Sequence, residues 1–525
     1  MKPWAGRGIV LAVGACGILL ASLLTASAQT VVLSNVRVSA PSPPGAYSHP
    51  DVAIDPANSS HVVVAYDEAL QSLACHLASS SDGGNTWLDG PVVGSGAPYQ
   101  LPAGQKTCGL PRVVFQPDGA LVYAFDSTHF GSGGYYGTPY AMRSTDGGAT
   151  FSAPTPIDTT QPDPTTSAAG VDQSADNLSL AVDKTTGRVY ATWARFARNF
   201  TGADAATGSS LDGVHWSSSM VLTPDVTHSY GVVPVPGVGA DGELYVVYQT
   251  GTAPLSSVNL TVRTSQDHGA TFAPAVVIAA SVPAPNAACG SAGDCRSVPF
   301  QSVSGLSGSG SAAVAWSALE PSSCTASNPP GCSPRVHLQT TSDGGASWSQ
   351  PRIVGVPSEP ADHSQTSPAL SLAPDGRLDL VFFDDSPATF NCIASPPQLG
   401  FQDTFFASSA DGGGTFSAPE RLDSVTTNVC VSSGNGGTFD YQVNTDHLVA
   451  STNAGTDVVW TDSRNGTLSN AFHDIYFSSL SFAPSAPSPA SSVNAAPLTP
   501  SPASSVAAAS VPVPATGTAS HCRPS

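Results

Sequence analysis

Ser80-Ser81-Asp82-Gly83-Gly84-Asn85-Thr86-Trp87 decides the fold, because it returns along the chain. It recurs as Ser144-Thr145-Asp146-Gly147-Gly148-Ala149-Thr150-Phe151 and as Ser265-Gln266-Asp267-His268-Gly269-Ala270-Thr271-Phe272. Two more copies are Thr341-Ser342-Asp343-Gly344-Gly345-Ala346-Ser347-Trp348 and Ser409-Ala410-Asp411-Gly412-Gly413-Gly414-Thr415-Phe416, and a shorter one is Ser210-Leu211-Asp212-Gly213-Val214-His215-Trp216. The repeated Asp residues lie 55 to 76 residues apart, the spacing of a repeat architecture built from whole supersecondary units. Asp-Gly-Gly is turn chemistry: the carboxylate accepts backbone N–H groups and Gly supplies positive φ. The aromatic that follows is placed to fold back and pin the turn.

Working outward, two apolar runs joined by a turn precede each copy, as in 51–55 and 61–66, and a third run leads into the copy itself. A short run follows, as in 91–93. Four short antiparallel strands per repeat make a propeller blade. After the last copy, the runs 447–451, 457–461 and 474–478 form one more unit lacking a fourth strand, while the run 30–38 precedes the first unit with no partner of its own. Joining the two completes a blade and hides two sheet edges. The expectation is an all-β propeller of seven blades; six is the alternative if one degenerate unit is an insertion.

Composition agrees. Gly and Pro number 50 and 46 of 525 residues, only 11% of residues are charged, and 38 acids face 18 Lys and Arg for a net charge of -20. That excludes coiled coils and helical bundles and argues against a partner bound through phosphate neutralisation, so no nucleic acid is expected. Residues 1–28 read as a signal peptide: Lys2 and Arg7, an apolar run from Gly8 to Leu24, then Ala26-Ser27-Ala28. Cleavage takes the net charge to -22, from 38 acids less 16 bases. The expected location is secreted or cell-surface, with lipoprotein anchoring through Cys16 a minor alternative, no transmembrane domain in the mature chain, and a monomeric state. The propeller is assigned to residues 29–482 and a Ser/Pro/Ala-rich disordered tail to 483–525.

The repeated turn resembles the Asp-box, or bacterial neuraminidase repeat, and over roughly 30–482 the chain resembles the sialidase superfamily of β-propellers. The resemblance implies structural roles for Asp82, Asp146, Asp212, Asp267, Asp343 and Asp411 on the outer rim. Function is then expected at the opposite mouth of the central channel. There the sequence places Tyr47, Ser48, His49, Asp67 and Glu68 (blade 1), Arg112 and Asp126 (blade 2), and Asp172, Asp176, Arg195 and Arg198 (blade 3). It adds His228, Tyr230 and Gln249 from blade 4, then His363, Gln365, Asp384 and Asp385 from blade 6. The closing blade supplies Asp440, Tyr441, Asp446, Asp462 and Arg464. Trp193, Trp316 and Trp460 recur in register with Tyr66, Phe125 and Tyr248, which marks them as core rather than sugar platforms.

Sialidases hold the sialate carboxylate with three arginines, and use a Glu-activated Tyr as nucleophile and an Asp as acid. The first of those arginines is missing from Tyr47-Ser48-His49-Pro50. Arg112, Arg195 and Arg464 form a substitute candidate cluster, with Tyr441, Glu68 and Asp67 as catalytic candidates. His49, His363, Asp384 and Asp462 complete the expected ligand set. No cofactor is required, although an acidic ring of this kind suits Ca²⁺. Eight cysteines outside the signal and tail pair sequentially as Cys75–Cys108, Cys289–Cys295, Cys324–Cys332 and Cys392–Cys430, beside the same mouth, with connectivity open. The chain reads as an exported propeller recognising an extracellular glycan or glycoprotein without standard sialidase catalysis. The alternative, if it is an enzyme, is an exo-α-sialidase-like glycoside hydrolase with a rearranged arginine cluster.

Overall fold

The structure is a computed structural model that describes residues 31–32, 35–40, 46–68, 74–101, 105–131, 134–158, 173–197, 203–223, 230–251, 257–283, 301–320, 333–354, 363–387, 399–433, 449–468, 470 and 472–482. The expected signal peptide and tail lie outside these residues. Each sequence repeat pairs its runs as an antiparallel meander. Blade 1 is Tyr47–Ile54, Val62–Glu68, Cys75–Ser80 and Leu88–Val93, and blade 2 is Thr107–Phe115, Leu121–Gly131, Gly134–Ser144 and Thr155–Pro156. Blade 3 is Gln173–Val182, Val189–Ala197, Ala203–Ser210 and Met220–Val221; blade 4 is Tyr230–Val238, Leu244–Gly251, Ser257–Ser265 and Val276–Pro283. Blade 5 is Gln301–Gly305, Ala312–Glu320, Ser333–Thr341 and Arg352–Ile353, and blade 6 is Ser364–Leu372, Leu378–Ser386, Phe401–Ser409 and Glu420–Arg421. The first strands of successive blades touch one another around the ring, the last against the first, and so line the centre.

Blade 7 has three strands of its own, Val449–Ser451, Gly455–Asp462 and Asp474–Ser481, and borrows the fourth from the other end of the chain. Val31–Val32 pairs with Leu480 and Ser481, and Val36–Arg37 with Tyr476 and Phe477. Polar groups reinforce this closure. The Asn35 amide donates to Leu422 O of blade 6 and Ser478 Oγ of blade 7, both at 2.8 Å; Arg37 is ion-paired with Asp474; and the Ala40 N–H reaches Asp89 of blade 1 at 2.9 Å. One short segment thus ties three blades.

Seven apolar clusters fill the seven blade interfaces. The aromatic near the end of each second strand, namely Tyr66, Phe125, Trp193, Tyr248, Trp316, Phe382 and Trp460, is at most 2% exposed and packs against the preceding blade. Burying a side chain of this size contributes about 2–3 kcal/mol, so the recurrent aromatics anchor the ring, as their register in the sequence implies.

The box turns share one hydrogen-bond scheme. In the second copy the Ser144 hydroxyl donates to Asp146 at 2.8 Å and accepts the Gly148 N–H at 2.8 Å, while the Thr150 N–H and hydroxyl donate to the same carboxylate at 2.8 and 2.6 Å. The short copy keeps this logic with His215, whose ring nitrogen meets Asp212 at 2.6 Å where the others use a hydroxyl. Gly84 shows why the second Gly is needed: its φ is +88°, and a Cβ there would lie 2.0 Å from an edge carbon of the Phe477 ring of blade 7.

Candidate functional site at the channel mouth

The mouth is shaped by a feature that recurs in the first strands. His49, Leu110, Asn177, Val233 and Ser367 all have φ between 49° and 57°, each inside a β-bulge opposite the recurrent aromatic or its neighbour. Four of the five precede a proline, Pro50, Pro111, Pro234 and Pro368. Non-glycine residues in this region cost free energy and are tolerated only where surrounding bonds fix them; bulges of this kind re-aim side chains near sites. Stitches between blades do the fixing. The Val113 N–H donates to Asp51 at 2.8 Å, and the Leu370 N–H donates to Ser302 Oγ at 3.0 Å. Sequence reasoning passed over Asp51 and Ser302, since their partners lie over 60 residues away.

The residue after the aromatic faces the next blade, and here equivalent positions differ. Asp67 accepts the Ser48 hydroxyl and the His49 Nδ1 at 2.7 Å each and the Leu110 N–H at 2.9 Å. Burial raises its carboxyl, but His49, Ser48 and Leu110 outweigh that and hold it below the ordinary carboxylate range. Gln249 likewise bonds Gln301 of blade 5 at 2.7 Å. Asp126 is the exception. It is 2% exposed, and neither carboxyl oxygen has a hydrogen bond of normal geometry among the described residues. Burial, with the Asp176 carboxylate beside it, pushes its carboxyl well above the ordinary range, against the pull of Arg112, the Leu178 N–H and His49.

The three candidate arginines are distributed rather than gathered. Arg112 is fully buried on the first strand of blade 2, beside Asp126, and one guanidinium N–H donates to Pro111 O at 2.8 Å. Arg195 on blade 3 lies 3.6 Å from Asp158, the buried acid that ends blade 2. Arg464 belongs to the interface of blades 6 and 7, nearly opposite in the ring. It bonds Asp462 at 2.6 Å and Ser424 at 3.3 Å and lies 3.9 Å over the Tyr476 ring, with Asp462 also taking the Trp460 indole N–H at 3.1 Å. Blades 2 and 3 thus hold two of the three, and the third braces another interface.

Glu68 is buried and pairs in register with Tyr47, whose phenol is pushed up to about 12 by burial and by Asp89, Glu68 and Asp474. That direction opposes nucleophile activation. His363 is joined to Asp384, and Asp385 accepts Gln402 at 2.7 Å and Thr366 at 3.2 Å. The disulfide Cys75–Cys108 staples blade 1 to blade 2 at this end, and Cys430 is disulfide-bonded to a cysteine beyond the described residues. Tyr441, Asp172, Arg198, His228, Asp440, Asp446, Cys289, Cys295, Cys324, Cys332 and Cys392 lie outside the described residues. Among the described residues no group of three or more His, Cys, Asp or Glu is placed to hold a metal, and no helix is long and apolar enough to cross a membrane.

No family profile and no curated protein matches the chain. Similar solved structures include a protein of unknown function from Dyadobacter fermentans DSM 18053, at 15% identity and TM-score 0.46 over 86% of this chain and 99% of that one. The GH93 α-L-arabinofuranosidase of Fusarium graminearum gives 14% and 0.42 over 67% and 92%, and an intramolecular trans-sialidase from Ruminococcus gnavus 13% and 0.40 over 64% and 89%. On its own strand pairing, the chain is a seven-bladed β-propeller.

Proposed function

We propose that this is an exported propeller that recognises a glycan or glycoprotein at the channel mouth, its seat between blades 2 and 3, without the standard sialidase apparatus. The observation that carries the reading is Asp126. A buried acid with no hydrogen bond of normal geometry among the described residues costs about 1–3 kcal/mol, and such a residue calls for an explanation, here a bound ligand. A sugar hydroxyl would supply Asp126 with the well-formed donor that no described residue gives it, with Arg112 and Asp176 beside it. Against a sialate clamp stand the engagement of Arg195 by Asp158 and of Arg464 by Asp462.

A glycan array probed with the mature protein tests this. Wild type is expected to retain a defined set of glycans without turnover, and Asp126→Ala to lose them. Undiminished retention by Asp126→Ala rejects the seat, and release of the fluorophore from a sialoside rejects the non-catalytic reading.

A further inference from the structure

We propose a second functional site, a Ser79–His61–Asp55 triad in the groove between blades 1 and 2 that hydrolyses esters of short apolar acids; it does not rest on the reading of the channel mouth. The three side chains are joined in line. His61 Nδ1 lies 3.2 Å from Asp55 Oδ2, and His61 Nε2 lies 3.4 Å from Ser79 Oγ. The other oxygen of Asp55 accepts the Ala57 N–H at 2.8 Å, which fixes the carboxylate that orients the ring, and Phe115 backs the imidazole edge-on at 5.4 Å. An imidazole that donates through Nδ1 to a carboxylate presents its Nε2 lone pair to the hydroxyl, the arrangement that turns a serine into a nucleophile. Catalytic hydrogen bonds of this length tighten when substrate closes over them.

Two observations set these residues apart from ordinary contacts between strands. The first is a counterpart in blade 3, where Asp183, Arg188 and Ser209 stand in place of Asp55, His61 and Ser79. Ser79 pairs with Val63 as Ser209 pairs with Tyr190, and the Asp55 N–H reaches His61 O as the Asp183 N–H reaches Arg188 O. There Arg188 donates to Ser209 at 3.2 Å, and Asp183 accepts the Thr185 N–H and hydroxyl at 2.8 and 2.6 Å. A guanidinium cannot accept a proton, so this frame braces blade 3, whereas in blade 1 it holds a base. The second observation is a cavity: half-buried His61 and Ser79 line a groove of about 680 Å³, the size of a small-molecule site. Ser79 shares a strand face with Leu77, and Leu88, Pro91, Tyr99 and Phe151 continue the apolar wall. The acids of the groove are Asp89, held by the Ala40 N–H, and Asp146, held by Thr150; their charge disfavours an anionic acyl group. Gly147 gives the ring its room, since a Cβ there would lie 2.8 Å from His61 Cε1.

The steps balance with these residues and water. Ser79 Oγ bonds to the ester carbonyl carbon as its proton passes to His61 Nε2; the bond to the alcohol oxygen then breaks, and the alcohol leaves with that proton. Water attacks the acyl-Ser79 ester, His61 takes its proton and returns it to Ser79 Oγ, and the carboxylic acid departs. Asp55 touches no reacting atom and is a positioning residue that holds the ring and offsets the imidazolium charge.

Two probes applied to the full-length protein test the proposal: p-nitrophenyl butyrate and an alkyl fluorophosphonate, whose P–F bond breaks as Ser79 Oγ bonds to phosphorus. The expected results are saturable release of p-nitrophenolate and a phosphonyl adduct on the peptide containing Ser79. Ser79→Ala and His61→Ala should each lower kcat/KM at least about 100-fold and abolish the adduct while melting stays cooperative; His61→Gln repeats the test if His61→Ala unfolds. Asp55→Asn should lower kcat at least about tenfold with KM within about twofold, a split that loosening of blade 1 does not produce. Ser209→Ala, the counterpart in blade 3, should keep both turnover and adduct. Wild type that releases no p-nitrophenolate above the buffer rate, an adduct elsewhere than Ser79, or wild-type turnover in Ser79→Ala overturns the triad. Glycan retention on the array reads the channel mouth separately, so either proposal can fail alone.

Discussion

Asp67 and Asp126 occupy equivalent positions in adjacent blades, each following the recurrent aromatic and facing the next blade, yet truncating them should have opposite effects. Asp67→Ala strands three buried donors, the Ser48 hydroxyl, the His49 ring N–H and the Leu110 N–H. At about 1–2 kcal/mol for each buried donor left unmet, the loss is about 3–6 kcal/mol. Asp126→Ala breaks no hydrogen bond of normal geometry among the described residues, only the weaker pull of the Leu178 N–H and Arg112, and it removes a burial penalty of about 1–3 kcal/mol. The two variants should therefore differ by at least about 4 kcal/mol at neutral pH. Their pH dependences separate them further. The folded-state value of Asp126 is raised, so wild type binds an extra proton relative to the unfolded chain and loses stability as pH climbs above the ordinary carboxylate range. The gain in Asp126→Ala is then absent near pH 4 and grows above it. Guanidinium denaturation followed by tryptophan fluorescence, repeated at acid and neutral pH, reads both effects. A loss of more than about 1 kcal/mol in Asp126→Ala at neutral pH, comparable to a lost hydrogen bond, would refute the reasoning, as would a gain that does not change with pH.

Two further outcomes follow from the rim and the staple. The hydroxyl and N–H four residues on, with the box Ser or Thr, hold Asp146, Asp267 and Asp343 down to about 2; the stability they add is complete above the unfolded value near 4 and lost as pH falls toward 2. Melting temperature should drop through that window, and Thr271→Val should flatten the drop; an unchanged profile in that variant argues against the assignment. Reducing or replacing Cys75–Cys108, which closes a loop of 33 residues, should cost about 4 kcal/mol by the loop-entropy relation, measured as a lower denaturation midpoint with blade 1 and blade 2 amides exchanging first.

The blades and their closure were legible because they depend on local chemistry repeated in register. The box Asp and Gly residues specify their turns within eight residues, and the leftover runs at 30–38 and 447–478 each lack what the other has. The mouth was legible only as a neighbourhood. Asp67 and Asp126 look alike in sequence, and what separates them is that Leu110 reaches the first with a well-formed bond while the second meets Asp176. Such contacts link residues tens of positions apart. The bulges left a readable trace, the prolines at 50, 111, 234 and 368, but the left-handed residue before each follows no residue-type rule, since Leu110 and Val233 serve as well as Asn177.

The borrowed strand of blade 7 bears on how the molecule is made. The segments 31–32 and 35–40 emerge during synthesis before blades 1 to 6, and their partners at 474–481 after all of them. Until those partners arrive, the growing arc of blades carries two open edges, and the early segment has only its contacts to Asp89 and Leu422 to make. Completion is therefore a single late event rather than a blade-by-blade accumulation. A circular permutant that rejoins these segments and opens the ring between blades 3 and 4 would move that event without altering a side chain.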